Sequence, residues 1–71
     1  MNQDTLQGKW HQMRGEAKSR WGKLTNDDID QIAGNTEKLI GRLQERYGYA
    51  RERAEREVRE WTSKTHEVSQ P

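Results

Sequence analysis

The amino-acid sequence predicts an all-α fold, a small bundle whose four main helices form two helical hairpins. The first observation is that the few apolar residues recur at three- and four-residue intervals, the spacing of one face of an α-helix. The second is that glycines stand at positions 8, 15 and 22 and again at 34, 41 and 48. The third is that a shift of 26 residues brings these sets into register and places apolar residues on apolar ones, pairing Met13 with Leu39, Ala17 with Leu43 and Trp21 with Tyr47. Such self-similarity indicates two copies of one helical hairpin.

The first helix is predicted from about Trp10 to Trp21. Its apolar stripe is Trp10, Met13, Ala17 and Trp21, and Leu6 extends it backward. Gly8 and Gly15 interrupt the pattern, and each costs about 1 kcal/mol relative to alanine inside a helix. The segment 3–9 is therefore left open between a helix and a short N-terminal turn, and Gly22 is predicted to cap the helix end.

The second helix has the best start signal in the chain. Thr25 can serve as N-cap, Asp28 completes a capping box three residues later, and Leu24 and Ile29 occupy the hydrophobic-staple positions. The predicted helix covers residues 26–33, and Gly34 is predicted to stop it. Its buried side chains are expected to be Ile29, Ile32 and Ala33.

The third helix is predicted to start after Asn35 or Thr36 and to end at Tyr47. Its apolar face comprises Leu39, Ile40, Leu43 and Tyr47. Gly48 follows where a left-handed backbone conformation would terminate the helix, so it is predicted to be the C-terminal cap.

The fourth helix is predicted from about Ala50 to Lys64. Its apolar stripe is Ala50, Ala54, Val58 and Trp61, and its other faces are charged. Favourable pairs four residues apart are expected for Glu52 with Arg56, Glu55 with Arg59, and Glu60 with Lys64. We predict a single domain over residues 1–64 and a frayed C-terminal tail over 65–71.

Composition bounds the classes of function that the chain can have. The 71 residues are 28% hydrophobic, contain no phenylalanine and carry a net charge of +1, which indicates one small domain with little core material. Without cysteine the chain has neither disulfides nor thiolate chemistry. No run approaches the roughly 20 apolar residues that span a bilayer, and the N-terminus has no secretory signal pattern. We therefore expect a cytoplasmic protein.

No constellation of residues predicts catalysis, a metal site or a cofactor site. His11 and His66 lack a second ligand at metal spacing, so they are interpreted as surface residues. Asp27, Asp28 and Asp30 lack the glycine and the distal glutamate of a calcium loop, and helix capping explains the first two better.

The tryptophans Trp10, Trp21 and Trp61 could form a stacking platform for single-stranded nucleic acid with Lys9, Arg14, Lys18, Arg20 and Lys23, but their place on the apolar stripes favours the core. A membrane-surface helix over 9–24 is a further alternative, which the narrow apolar face disfavours.

Several separated motifs together resemble the CsbD-like family of small bacterial proteins. They are Gly8-Lys9-Trp10, Arg14-Gly15, Trp21-Gly22-Lys23-Leu24-Thr25-Asn26-Asp27-Asp28, Gln44-Glu45-Arg46-Tyr47-Gly48-Tyr49 and the segment 54–61. The resemblance covers roughly residues 3–61. It departs from the family pattern only slightly, with Asn26 where aspartate is usual and Arg14 where lysine is common. The resemblance implies two α-hairpins packed crosswise in a bacterial cytosolic protein whose abundance rises in general stress, and it supplies no catalytic residues.

The leading functional hypothesis is a non-enzymatic stress-response protein, acting as a hydrophilic protectant or as a small interaction module. A mean hydropathy of −1.44 in a chain with helical apolar stripes motivates it. One alternative is nucleic-acid binding through the basic N-terminal third, with Lys9, Arg14 and Lys18 as contacts. Another is a protein–protein adaptor that uses the charged last helix through Arg51, Arg53 and Glu55. No other partner or ligand is predicted.

Overall fold

The computed structural model describes the backbone of residues 3–67 and the side chains of residues 6–63. Over this part of the chain the fold is all-α, which confirms the predicted class. The helices are α1 (Gln3–Arg20), α2 (Asn26–Ile32), α3 (Thr36–Tyr47) and α4 (Arg51–Glu67). The last helix extends three residues beyond the predicted end at Lys64, and residues 68–71 of the predicted tail lie outside the described part.

Helix α1 is continuous from Gln3, so the segment 3–9 is helical. Gly8 and Gly15 do not break it. Both lie on the exposed face, where an added Cβ would meet no atom within 4 Å. The opposite face carries the predicted stripe, in which Leu6, Trp10, Met13 and Ala17 are buried. Burial of this stripe offsets the helix-weakening effect of the two glycines.

The prediction that Gly22 caps α1 in a left-handed conformation is wrong. Among the described residues, positive φ angles occur at Ala33, Gly34 and Gly48. The chain instead leaves α1 through a turn in which the Leu24 N–H donates to the Trp21 carbonyl at 3.0 Å. This turn places Trp21 and Leu24 in the core without a left-handed residue.

Helix α2 begins with the predicted capping box. The Thr25 hydroxyl accepts from the Asp28 N–H, and the Asp28 carboxylate accepts from the Thr25 N–H, each at 3.0 Å. The helix ends at Ile32, and Ala33 follows with φ 47° and an exposed side chain. The prediction that Ala33 belongs to the buried face is therefore wrong, because the left-handed conformation turns its methyl group away from that face.

Helix α3 has both of its predicted ends. Asn35 is the N-cap and accepts from the Lys38 N–H at 3.0 Å, and Gly48 is the C-terminal cap with φ 71°.

Helix α4 starts after Ala50, which is exposed, so the prediction that Ala50 belongs to the buried stripe is wrong. Glu55 pairs with Arg51 at 2.9 Å instead of with Arg59. Neither that predicted pair nor Glu52 with Arg56 occurs among the described ion pairs, and the Lys64 side chain lies outside the described part.

The core runs between all four helices and contains the three tryptophans. Trp10, Trp21 and Trp61 are 7%, 2% and 4% exposed, which confirms that the indoles form the core. Trp21 and Trp61 meet edge to face, with ring centroids 5.1 Å apart and an interplanar angle of 76°. Because Trp21 follows α1 and Trp61 lies in α4, this contact joins the two hairpins. The other buried apolar residues are Leu6, Met13, Ala17, Leu24, Ile29, Ile32, Leu39, Ile40, Leu43, Ala54 and Val58.

Candidate functional site

An ion pair with a buried carboxylate links α2 to α3. Arg46 donates from Nε to Asp28 Oδ2 at 2.8 Å and from Nη2 to Asp28 Oδ1 at 2.9 Å, a bidentate arrangement. The Asp28 side chain is 2% exposed, whereas that of Arg46 is 42% exposed. Arg42 Nε lies 3.5 Å from the same carboxylate. Counting the Thr25 N–H, both Asp28 oxygens are fully engaged.

These contacts fix the ionisation of Asp28. The Arg46 hydrogen bonds hold the pKa of the carboxyl group well below its usual range; burial opposes this effect, and the Thr25 N–H reinforces it. The same pair raises the pKa of Arg46. A carboxylate that stays ionised and fully hydrogen-bonded is poorly suited to general acid or base chemistry. Asp28 is therefore a structural residue.

The sequence predicted the capping role of Asp28 but missed the ion pair. A signal for its burial was present, since Asp28 directly precedes Ile29 and lies four residues before Ile32 on the apolar side of α2. The identity of its partner was not available in the same way, because Arg46 lies 18 residues away along the chain.

A second, more exposed ion pair joins α1 to α4. Arg20 Nη2 lies 3.5 Å from Glu57 Oε1, with side-chain exposures of 32% and 25%. The shift of 26 residues pairs Arg20 with Arg46, and each arginine precedes an aromatic residue. Each also reaches from the first helix of one hairpin to the second helix of the other.

The strongest candidate for a binding surface is a group of four side chains, Lys23, Tyr47, Tyr49 and Arg53, here called the aromatic–cation cluster. Tyr47 and Tyr49 flank Gly48, whose left-handed conformation lets the two rings stack with centroids 5.1 Å apart and an interplanar angle of 21°. Lys23 Nζ lies 5.2 Å from the Tyr47 ring centroid, and Arg53 Cζ lies 4.2 Å from that of Tyr49. Each ring of the stacked pair therefore has one cation lying over it.

The aromatic–cation cluster differs from the core aromatics in exposure. Both tyrosines are partly buried, and Lys23 and Arg53 are exposed. Neither cation belongs to an ion pair among the described residues. The Tyr47 hydroxyl accepts from the Lys23 N–H at 3.2 Å, which ties the turn after α1 to the end of α3.

Sequence reasoning placed Tyr47 on the buried face of α3 and did not single out Tyr49. The missed signal is the Tyr47-Gly48-Tyr49 string, in which a glycine that can adopt a left-handed conformation stands between two aromatic residues.

The N-terminal cations predicted as nucleic-acid contacts do not share one surface. Arg14 pairs with Asp30 of α2 at 2.5 Å, and Lys18 Nζ donates to Asn26 Oδ1 at 2.9 Å. Lys9 is exposed and lies about half a turn around α1 from Lys18, at roughly 100° per residue. Two of the three side chains are thus engaged within the protein.

The residues predicted as an adaptor surface on α4 also have internal partners. Arg51 Nη2 donates to both Glu37 carboxylate oxygens, at 2.7 and 2.8 Å, and its Nε donates to Glu55 at 2.9 Å. These hydrogen bonds, first to Glu37 and then to Glu55, raise the pKa of Arg51. Arg53 lies against Tyr49. Through these contacts, Arg51 links α4 to α3, and Arg53 links α4 to the turn that precedes it.

The described surface has several open grooves, of which two lie beside α3. The larger, of about 590 Å³, lies between α2 and α3 and is lined by Gln31, Lys38, Gly41, Arg42 and Glu45. The smaller, of about 320 Å³, lies where the start of α1 meets α3 and α4, with Leu6, Ile40 and Val58 among its lining residues. At the smaller groove, the Glu37 and Glu55 carboxylates accept from Arg51, and the Thr62 hydroxyl donates to the Val58 and Arg59 carbonyls.

The predicted surface histidine His11 is exposed, and the His66 side chain lies outside the described part. The three aspartates turn to different partners, since Asp27 accepts from Gln31, Asp28 from Arg46 and Asp30 from Arg14. Within the described residues, no cluster of three or more potential metal ligands occurs.

Fold and surface define a class of small all-α proteins with a buried tryptophan core and a charged exterior. No helix in the described part of the chain has the length and apolar character needed to cross a membrane. Residues 4–56 match the family model described as CsbD-like. The chain belongs to the CsbD-like family.

Curated relatives are similar over most of their length. The chain is 54% identical over 61 residues to a UPF0337 protein of Pectobacterium atrosepticum, covering 86% of this chain and 88% of the relative. It is 52% identical over 64 residues to a UPF0337 protein of Pseudomonas aeruginosa, covering 90% and 98%. It is 47% identical over 64 residues to the UPF0337 protein YjbJ of Escherichia coli K12, covering 90% and 93%.

Proposed function

We propose that this protein is a non-enzymatic stress-response protein that acts as a folded, hydrophilic protectant. The observation that carries the proposal is the separation of apolar and charged residues. The three indoles are at most 7% exposed, while charged residues make up 35% of the chain. Family membership adds the expectation of a role in bacterial stress, and the cytoplasm is the location that we propose for it.

The surface suits a protectant because its charged side chains bind water more strongly than they bind apolar groups of other proteins. Acidic and basic side chains are interspersed on the exposed faces of α4, as Glu52, Arg56, Arg59 and Glu60 show. Mixed charge with a net charge of only +1 gives strong local hydration without a large field of one sign. Such a protein can separate other macromolecules when water is scarce, provided that it is abundant.

The test is protection of a labile enzyme through freezing and drying. We expect the protein at comparable mass to preserve activity that the enzyme alone loses. The matched variant replaces Glu52, Arg56, Arg59 and Glu60 by glutamine, which removes two charges of each sign and keeps the net charge unchanged. Because these side chains lie outside the described ion pairs, the fold should persist while protection falls.

If the wild-type protein and the glutamine variant preserved the enzyme's activity equally, these surface charges would not be the cause of the protection. No recovery at any mass ratio would refute the protectant function. A catalytic turnover that disappears on changing one polar side chain, with the fold intact, would overturn the non-enzymatic assignment.

We also propose that the two hairpins arose as an internal repeat. The matching placement of Arg20 and Arg46 supports it. The adaptor alternative through Arg51, Arg53 and Glu55 has weaker support, since internal contacts already account for these side chains. Charge reversal at Arg53 followed by capture from stressed cells tests that alternative directly.

A further inference from the structure

The aromatic–cation cluster combines two properties that occur together nowhere else among the described residues. Its aromatic rings are partly accessible, whereas the three tryptophans are buried. Within residues 6–63 its cations have no carboxylate partner, whereas every arginine of α1 to α3 and Arg51 of α4 takes part in an ion pair. A positively charged surface with accessible aromatic rings suits an anionic partner that also carries flat, apolar groups.

We propose that the aromatic–cation cluster binds single-stranded nucleic acid. Lys23 and Arg53 contact phosphates, and one base stacks on the Tyr49 ring. Base stacking on aromatic side chains and phosphate neutralisation by nearby cations are the two contributions from which single-strand binding is built. A duplex is a poorer fit, because its bases are already stacked on one another and cannot reach a ring on the protein surface.

The geometry provides a place for the base. The Arg53 guanidinium lies over the Tyr49 ring, 4.2 Å from its centroid, and Tyr47 stacks against the same ring. Arg53 is exposed, so it can exchange this contact for a phosphate and free the ring face. Tyr47 stays in place as support, because its hydroxyl is held by the Lys23 N–H.

Neighbouring carboxylates limit the strength of the interaction. Glu57, four residues after Arg53, is engaged by Arg20 at 3.5 Å, and Glu52 is adjacent to Arg53 in the chain. With two cations and one accessible ring face, the cluster accommodates a short stretch of one or two nucleotides. Binding should therefore be weak, tolerant of sequence and sensitive to salt.

The experiment is fluorescence anisotropy of labelled single-stranded DNA and RNA of about twelve nucleotides at several salt concentrations. Tyr49→Leu keeps an apolar side chain but removes the stacking surface, and it should weaken binding about tenfold. Tyr49→Phe should restore binding. Arg53→Gln should flatten the logarithmic salt dependence by about 0.7, the value for one phosphate contact on a single strand.

Lys9→Gln and Lys38→Gln are the matched controls, since each removes one exposed positive charge elsewhere on the surface. Both should bind like the wild-type protein. Circular dichroism confirms that each variant is folded. The same oligonucleotides as duplexes, and vesicles of anionic phospholipid, complete the comparison, and both should bind more weakly than the single strands.

The proposal is overturned by an absence of single-strand binding at low salt. It is equally overturned if Lys9→Gln and Lys38→Gln weaken binding as much as Arg53→Gln does, or if Tyr49→Leu has no effect, because attraction would then be unspecific. Preference for vesicles or for the duplex would assign the surface to another partner.

Discussion

The Asp28 carboxylate completes a helix cap and a tertiary ion pair at the same time. It accepts hydrogen bonds from the Thr25 N–H at 3.0 Å and from Arg46 Nε and Nη2 at 2.8 and 2.9 Å. A buried carboxylate is costly unless such bonds compensate its lost hydration. The substitution Asp28→Asn removes the charge but preserves the shape, so it leaves the Arg46 guanidinium without its counterion.

We expect Asp28→Asn to lower the free energy of unfolding by about 2 kcal/mol. Asp27→Asn is the matched control, because it makes the same chemical change one residue earlier at an exposed position. That control should cost less than about 0.5 kcal/mol. Urea unfolding followed by circular dichroism measures both values. Equal losses would show that the ion pair contributes no more than charge near the helix start.

The same carboxylate predicts a pH dependence of stability. Because Arg46 lowers the pKa of Asp28 in the folded state, the unfolded state takes up the proton first as the pH falls. The stabilisation is complete above the unfolded pKa of about 3.9 and is lost as the pH falls from there towards the folded pKa. The stability difference between wild type and Asp28→Asn should therefore stay constant from about pH 7 to 5 and shrink from about pH 4 downward. Urea titrations of both proteins at these pH values test it, and a difference that persists unchanged at pH 3 would contradict it.

The glycines in the helices and turns divide into those whose conformation the backbone requires and those that another residue could replace. Gly15 has an ordinary helical conformation, and an added Cβ would meet nothing within 4 Å. Gly34 has φ 83°, and an added Cβ would come within 2.9 Å of Gln7 Cα. Gly15 therefore weakens α1, because its backbone loses more conformational freedom on folding than alanine would. Gly34, by contrast, permits close contact between α1 and the turn after α2.

Gly15→Ala should raise the free energy of unfolding by about 1 kcal/mol, because alanine favours the helix. Gly34→Ala should lower it by at least about 1 kcal/mol, because the substitution adds a steric clash and an unfavourable φ angle. Thermal unfolding of the two variants beside wild type is the measurement. A loss of stability in Gly15→Ala would show that the open space above α1 has a structural use.

The helix ends show which features a sequence can predict. The Thr25 cap and the Gly48 cap were predictable, since their partners lie within four residues along the chain. The end of α2 was not. Its position depends on Gly34 approaching Gln7 of α1, a tertiary contact, and this leaves Ala33 in a left-handed conformation that a sequence pattern would assign to glycine.

The candidate site was less predictable than the fold for the same reason. The aromatic–cation cluster joins Lys23 to Tyr47 across 24 residues, and only the packing of the hairpins brings them together. The apolar stripes, by contrast, are determined by helical periodicity, and the burial of all three indoles followed from it. Periodicity predicts which face of a helix is buried, but it leaves open which exposed side chains become neighbours.

Contacts between the hairpins determine how the whole molecule unfolds. Trp21 meets Trp61, and Arg46 holds Asp28, so each hairpin completes its core with residues of the other. A domain of this size has about 5 kcal/mol of stability in total, too little to divide between two independent units. We therefore expect one cooperative transition in urea, with tryptophan fluorescence and circular dichroism giving the same midpoint.

Trp61→Leu tests this expectation because it weakens the contact between the hairpins and leaves the charged surface unchanged. The loss of packing around Trp21 should cost about 3 kcal/mol and move both midpoints to lower urea by the same amount. If the hairpins were independent, the circular dichroism transition would instead split, since the α1–α2 hairpin would keep its helices while α4 melted. Trp10 and Trp21 remain as fluorescent reporters in the first hairpin, so its unfolding is still observed directly in this variant.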